Sequence, residues 1–153
     1  MRKPLFTTTL ALTAALLTGC AATTPKVQHY NSGKVLPAGL PFSEAVRVRD
    51  LVLLSGQIGN VPGPGPIKLA PGGIQGESRQ VMENIKTSLE ASGLSMAKVV
   101  KCTVMLADMK EWGAFNEVYK TYFNAPYPAR SAFGANGLAF NARVEVECIA
   151  TTR

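Results

Sequence analysis

The stretch that decides the fold is 142–152, "ARVEVECIATT", in which apolar and polar side chains alternate. On a β-strand, alternate residues share one face. Val144 and Val146 should therefore face packed helices, whereas Glu145 and Glu147 should point the other way. The pattern predicts a strand with one buried face and a second face that needs a partner.

Upstream, the pattern changes from a period of two to the period of a helix. Residues 74–94, "IQGESRQVMENIKTSLEASGL", carry Val81, Ile85 and Leu89 at four-residue intervals. This spacing puts them on one side of an amphipathic helix. Gly93 is suited to the left-handed position that ends many helices.

A second helix is predicted over residues 109–124. Asp108 is placed to cap it, and Glu111, three residues later, completes a capping-box pattern. An aromatic stripe at helical spacing is expected to pack in the core; it consists of Trp112, Phe115, Tyr119 and Phe123.

The other strands are predicted from short apolar runs bounded by turn residues. They are a possible strand in 26–31, two pieces of 45–59 around Arg49 and Asp50, then 98–108 and 130–135. In the run 98–108, one face is expected to hold Val100, Cys102, Val104 and Leu106. The order β-β-β-α-β-α-β-β indicates an α+β fold with two helices on one face of the sheet. Its other face favours oligomerisation.

The N-terminus has the composition of an export signal. Arg2 and Lys3 precede an apolar run over 5–17, which is shorter than the roughly 20 residues needed to cross a bilayer. This is typical of a signal peptide over residues 1–19. Residues 17–20, Leu-Thr-Gly-Cys, resemble a bacterial lipobox, in which Cys20 becomes lipidated.

This interpretation predicts three regions: the signal peptide, a lipid-bearing tether over 20–34 that includes the possible first strand, and one domain over 35–153. Ala21, rather than aspartate, follows Cys20. The expected location is the cell envelope, on the periplasmic face of the outer membrane of a Gram-negative host. The alternative is a chance cysteine after an ordinary signal.

Composition argues against several classes of site. The formal charge of +6 falls to +4 without Arg2 and Lys3, and no basic run is long enough to suggest nucleic-acid binding. His29 is the only histidine, so neither a zinc site nor a Ser-His-Asp triad is expected, and no cofactor is implied. Cys102 and Cys148 are expected as buried free thiols, with a disulfide as the alternative in an oxidising compartment.

Arg130 and the glutamates of 142–152 allow two interpretations. They could form a solvated surface or a structural ion pair. Alternatively, the planar fork of Arg130 could hold a small carboxylate through two hydrogen bonds. A nearby glutamate would then orient or deprotonate a water molecule.

Four motifs in order resemble the Rid (YjgF) family of enamine and imine deaminases, from about residue 35 to the end. They are Ser-Gly-Gln after a buried strand, Asn-x-x-Tyr on the second helix, Pro-Ala-Arg, and Val-Glu-Val-Glu. The resemblance implies a chorismate-mutase-like fold. It also implies a homotrimer with a central β-barrel and three sites between subunits.

The resemblance further implies hydrolysis of 2-imino or 2-enamino acids to 2-keto acids and ammonia, without a metal or cofactor. Arg130 would bind the substrate carboxylate and Glu145 would position the water. The site would also be lined by Phe42, Ser55, Gly56 and Asn116. The alternative is a trimeric module that binds small carboxylates without turnover.

Three departures from the family pattern are evident. Members often carry a cysteine two positions after the arginine, where this chain has Ala132, and this position contributes mainly backbone. Active members carry a tyrosine where this chain has Phe42, so a hydroxyl is missing there. The segment 134–142, "GANGLAFNA", lacks the usual Leu-Pro turn. These departures concern rate and substrate rather than fold.

Overall fold

The computed structural model describes residues 26–153 of the chain. The expected signal peptide, residues 1–19, and Cys20 lie outside the described residues. Within 26–153, no helix combines the length and the apolar character of a transmembrane span.

The described residues form a mixed sheet of seven strands and two α-helices, which confirms the predicted α+β class. The strands are β1 (Val27–Tyr30), β2 (Ala45–Val48), β3 (Leu51–Leu54), β4 (Gln57–Ile58), β5 (Val99–Leu106), β6 (Ala129–Gly134) and β7 (Val144–Thr151). The helices are α1 (Gly73–Ala91) and α2 (Trp112–Tyr119). Short 3-10 turns occupy Met96–Lys98, Met109–Glu111, Lys120–Tyr122 and Ala139–Asn141.

Strand β7 occupies the middle of the sheet. The strand order is β1-β2-β3-β7-β5-β6, and β4 also pairs with β7. β5 and β6 are parallel because α2 connects them, whereas the other pairs are antiparallel. As predicted, Val144 and Val146 are fully buried on the helix side.

Helix α1 follows its sequence signals closely. Val81, Ile85 and Leu89 are fully buried against the sheet. At its end, the Leu94 amide donates to the Leu89 carbonyl at 2.8 Å. Gly93 has a φ of 77°, which is the left-handed conformation that this type of helix ending requires.

The start of β5 differs from the prediction. Val99 is buried, whereas Val100 is 42% exposed. The pairing with β7 shifts between Val99 and Lys101. Such an irregularity reverses the alternation of faces, so the prediction that Val100 shares a face with Cys102, Val104 and Leu106 is wrong.

The second helix is shorter than predicted, because 3-10 turns precede and follow α2. The Asp108 side chain does accept a hydrogen bond from the Lys110 amide at 2.9 Å. The Glu111 carboxylate instead accepts from Arg143 Nε at 2.9 Å. Among the described contacts, the capping box is therefore not formed.

The aromatic stripe of α2 divides into two parts. Phe115 and Tyr119 are buried as predicted, and Phe123 packs against the core. Trp112 is 44% exposed, so its assignment to the core is wrong.

Cys102 and Cys148 are joined by a disulfide, which makes the expectation of free thiols wrong. The two residues lie directly opposite each other on β5 and β7. Both are buried on the helix side. The strand register that brings their side chains together is not visible in either sequence run alone.

The Cys102→Ala/Cys148→Ala double variant should be less stable by about 4 kcal/mol, from the loop entropy of a 46-residue separation. Guanidinium denaturation of the oxidised protein and the variant measures this difference. An unfolding free energy equal to that of the parent, together with two titratable thiols in the unfolded parent, would contradict the bond.

The face of the sheet away from the helices is open and carries several exposed apolar side chains among charged ones. Leu51, Leu53 and Phe133 are each more than 40% exposed. Leu53 pairs with Ile149, on the same side as Glu145. Several exposed apolar side chains on one face of a sheet favour a surface that another molecule covers.

Candidate functional site

Glu145 lies on the open face of β7, opposite Ile58 of β4 and Met105 of β5. Its carboxylate rests against the backbone of Gly56. A Cβ at Gly56 would overlap Glu145 Oε1, so a larger residue at this position would displace the carboxylate. Burial raises the pKa of Glu145 above its usual value, and the charge of Glu147 raises it further.

The Glu145 cavity, of about 240 Å³, contains two other residues predicted for the site, Phe42 and Gly56. The remaining lining residues are Leu36, Leu40, Ile58, Asn60, Ile67, Ala139 and Phe140. Ser55 does not line it. The Ser55 hydroxyl donates to the Ser43 carbonyl at 2.7 Å and supports the neighbouring loop.

Buried Glu44 fixes the loop over residues 31–44, which forms one wall of the Glu145 cavity. Its carboxylate accepts from the Ser32 amide at 2.9 Å and from the Ser88 hydroxyl of α1. The Glu44 amide donates to Asn31 Oδ1 at 2.9 Å. These bonds join both ends of the loop to each other and to the helix.

Two buried asparagines hold the opposite wall. Asn84 Nδ2 of α1 donates to the carbonyl oxygens of Ile58, at 3.1 Å, and Asn60, at 2.9 Å. Asn60 Nδ2 donates to the Val35 carbonyl at 3.0 Å. Satisfied buried polar groups of this kind hold a backbone in one position.

Arg130 lies elsewhere, on the helix side of the edge strand β6. Its guanidinium carbon is 4.7 Å from the centroid of the Tyr119 ring. It is 6.0 Å from the rings of Phe115 and Trp112. Aromatic faces attract a guanidinium and restrict its orientation, which gives the exposed Trp112 a role beside the cation.

The Arg130 cavity, of about 330 Å³, is lined by Asn116, Tyr119, Lys120, Tyr127, Pro128 and Arg130. Two buried atoms near it, Asn116 Oδ1 and the Tyr119 hydroxyl, have no hydrogen-bond partner among residues 26–153. Burial raises the pKa of Tyr119, which keeps its hydroxyl protonated. Both atoms therefore keep unused hydrogen-bonding capacity next to the Arg130 cavity.

No carboxylate of the described residues forms a salt bridge with Arg130. The alternative of a structural ion pair with a glutamate of β7 is therefore wrong within one chain. An arginine with aromatic neighbours and no acidic partner can accept a carboxylate ligand.

Arg130 and Glu145 do not meet within one chain. Arg130 pairs with Cys102 on β5, whereas Glu145 pairs with Met105, three residues further along the same strand. With ~4.8 Å between strands and ~3.3 Å per residue, their Cα atoms are about 14 Å apart. Their side chains project from opposite faces, so one small molecule cannot contact both in a single chain.

Sequence reasoning missed most of the residues that line these cavities, among them Tyr119 and Phe140. Tyr119 was assigned only to the core, although the Asn-x-x-Tyr spacing places it one turn from Asn116. Phe140 has a φ of 57°, in the left-handed region, and this backbone feature has no sequence signal at a phenylalanine. Within residues 26–153, no three potential ligands are grouped to hold a metal ion.

The comparisons with known proteins agree with this fold. The family model described as "Endoribonuclease L-PSP" matches residues 33–152. The chain is 44% identical to mouse "2-iminobutanoate/2-iminopropanoate deaminase" over 115 residues, which cover 74% of this chain and 84% of that protein. It is 43% identical to Arabidopsis thaliana "Reactive Intermediate Deaminase A, chloroplastic", over 75% of this chain and 61% of that protein's length.

A solved structure, E. coli TdcF with bound serine, superposes with a TM-score of 0.75 at 32% identity. The superposition covers 82% of this chain and 99% of TdcF. The bound serine makes TdcF a relative that holds a small molecule with a carboxylate. The match over most of the chain, the deaminase relatives and the shared fold together establish that this chain belongs to the Rid (YjgF) family.

Proposed function

We propose that this protein hydrolyses 2-imino acids and their 2-enamino tautomers to 2-keto acids and ammonia, at sites completed by a second copy of the chain. The observation that carries this proposal is the separation of Arg130 and Glu145 on opposite faces of one chain. Each residue lies in its own cavity and has its own supporting contacts. Two half-sites of this kind form a complete site when Glu145 meets Arg130 of the partner subunit.

The arrangement suits imine hydrolysis. Arg130 of the partner subunit binds the substrate carboxylate, which fixes the C=N carbon near Glu145. Glu145 orients a water molecule and takes its proton as the C–O bond forms. This proton passes to nitrogen and gives a carbinolamine. The proton of its hydroxyl group then moves to nitrogen as the C–N bond breaks, so that the C=O bond of the keto acid forms and ammonia leaves. The contribution of the protein is mainly positioning.

A homotrimer with a central barrel would cover the open face of the sheet. The exposed apolar side chains Leu51, Leu53 and Phe133 support this assembly, because the exposure of apolar side chains to water is unfavourable. Light scattering on the purified protein gives the mass directly. A monomer would leave each half-site without its complement.

The first experiment generates imino acids in solution with an amino-acid oxidase and traps them with semicarbazide. A working deaminase competes with the trap and lowers the rate of semicarbazone formation, and the Arg130→Ala variant should lose this effect. Saturable keto-acid binding without any effect on trapping would favour the binding module, which the missing hydroxyl at Phe42 makes the second candidate. Neither binding nor turnover would contradict both functions.

Gly56→Ala should lower kcat/KM by about 100-fold, because a displacement of about 1 Å at a catalytic group has effects of this size. The new Cβ would overlap the Glu145 carboxylate and push it from its position. Gly63→Ala is the matched control, since a Cβ there meets nothing within 4 Å. Equal rates for both variants would show that the position of Glu145 does not matter.

We also propose that the protein is lipidated at Cys20 and faces the periplasm. The disulfide between Cys102 and Cys148 supports export, because such bonds persist in oxidising compartments. In Gram-negative cells, the Cys20→Ala variant should leave the membrane fraction for the soluble periplasmic fraction. Membrane association that persists in this variant would contradict lipidation at Cys20.

A further inference from the structure

Resting on the proposed function, we propose that the Glu145 cavity selects imino acids with branched or aromatic side chains, and that Phe140 is the residue that sets this preference. The small imine with a single methyl side chain would then be a poor substrate.

The walls of the cavity beside Glu145 are almost entirely apolar. Six larger apolar residues face the space: Leu36, Leu40, Phe42, Ile58, Ile67 and Phe140. Glu145 and Asn60 supply the polar side chains, and Asn60 already donates to the Val35 carbonyl. A substrate side chain here gains by leaving water and finds few groups with which to form hydrogen bonds.

The size of the cavity exceeds the needs of a methyl group. At roughly 30 Å³ for each water-sized group, its volume of about 240 Å³ holds about eight non-hydrogen atoms. The substrate carboxylate lies outside this space, at Arg130 of the partner subunit. A leucine-type side chain would fill about half of the volume, and a methyl group would leave most of it unfilled.

Phe140 is held at the cavity in an unfavourable backbone conformation. Its φ of 57° and ψ of 23° are in the left-handed region, and Asn141 follows with a φ of 58°. This conformation is a real outlier for a bulky side chain and has a cost of order 1–3 kcal/mol. The ring is nevertheless 60% exposed, so burial of the ring in this chain does not offset that cost.

The strained backbone and exposed ring of Phe140 indicate that the ring contacts a molecule that is absent from the isolated chain. The ring of Phe140 forms one side of the cavity, and Phe42, which is 48% exposed, lines the same space. A substrate side chain between the two rings would cover both. The stabilisation that the chain lacks at Phe140 would then come from the ligand.

The test compares kcat/KM for imino acids generated from leucine and from alanine, in the parent and in Phe140→Gly. Glycine adopts positive φ readily, so this variant should unfold at a higher temperature than the parent. At the same time, the leucine-to-alanine ratio of kcat/KM should fall about tenfold, as expected when apolar contacts with a substrate side chain are lost. A purely structural Phe140 would change the melting temperature and leave the ratio as it was.

Val61→Ala is the matched control. Val61 is an apolar side chain of similar exposure, 47%, in the neighbouring loop, and it does not line the Glu145 cavity. The leucine-to-alanine ratio of kcat/KM in Val61→Ala should equal that of the parent. A parent ratio below one, or a ratio unchanged in Phe140→Gly, would overturn the proposal while leaving imine hydrolysis intact.

A protein without turnover would contradict the proposed function and would still test the cavity. Calorimetric titration with 4-methyl-2-oxopentanoate and with pyruvate reports the same side-chain contacts through binding alone. The branched keto acid should bind at least about tenfold more tightly, and Phe140→Gly should remove that difference. Equal affinities in the parent would overturn the preference independently of catalysis.

Discussion

Arg130→Ala is expected to lower kcat/KM for imino acids by at least about 100-fold, which corresponds to roughly 3 kcal/mol for a lost charged hydrogen-bonded pair. Among the described residues, no carboxylate occupies the guanidinium, which leaves its fork available to a ligand. The rings of Tyr119, Phe115 and Trp112 hold it in place. The variant should remain folded, since Arg130 forms no salt bridge with an acidic group of residues 26–153.

Arg130→Lys separates charge from geometry. Lysine keeps the positive charge but cannot form the two parallel bonds of a guanidinium to a carboxylate. Its kcat/KM should lie between those of the parent and Arg130→Ala. Arg79→Ala removes an exposed arginine from α1 and is the charge-matched control. Equal activity of Arg130→Ala and this control would show that Arg130 does not take part in the site.

Glu145→Gln is expected to lower turnover by about 10²- to 10⁴-fold, the usual contribution of a positioned general base. Glutamine is nearly the same size as glutamate and fits beside Gly56, but it cannot accept the proton of water. Keto-acid binding, measured by calorimetry, should change little. Equal losses of binding and turnover would instead make Glu145 a structural residue.

The Glu145→Gln substitution should lower activity without lowering stability. Burial raises the pKa of Glu145 in the folded protein, so the folded state holds this proton more tightly than the unfolded state. As pH rises through the folded pKa, ionisation of the buried carboxyl lowers the free energy of unfolding. At neutral pH, Glu145→Gln should therefore be at least as stable as the parent.

The pH profile of activity tests the same carboxyl. Turnover should fall as acid protonates Glu145, with a midpoint above the usual glutamate pKa of 4.5. Glu147→Gln removes a charge that raises this pKa. This variant should remain active, with the acid limb of its profile shifted to lower pH. An unshifted limb would mean that another group controls it.

Regular patterns in the sequence were sufficient for much of the fold. The alternation in 142–152 and the four-residue spacing in α1 report which side of an element is buried. They did not reveal the irregularity at Val100, where the strand reverses its faces. The helical spacing also did not distinguish the exposed Trp112 from the buried Phe115 and Tyr119. Exposure at the first residue of α2 depends on which residues pack opposite it.

The candidate site was predictable as residue types and not as geometry. Arg130 and Glu145 follow from the family motifs, but each motif lies within one strand. Their relation depends on the parallel pairing of β6 with β5 and the antiparallel pairing of β7 with β5. These registers place the two side chains on opposite faces, and the same registers bring Cys102 to Cys148.

The most direct test of a site shared between copies is complementation between two inactive variants. Arg130→Ala and Glu145→Gln are co-expressed with different tags, and oligomers that carry both tags are purified. In a cyclic trimer that carries both tags, about one third of the sites combine an intact Glu145 with an intact Arg130 of the partner subunit. We predict that activity returns to about this fraction of the parent value; mixed oligomers as inactive as each variant alone would contradict a site built from two chains.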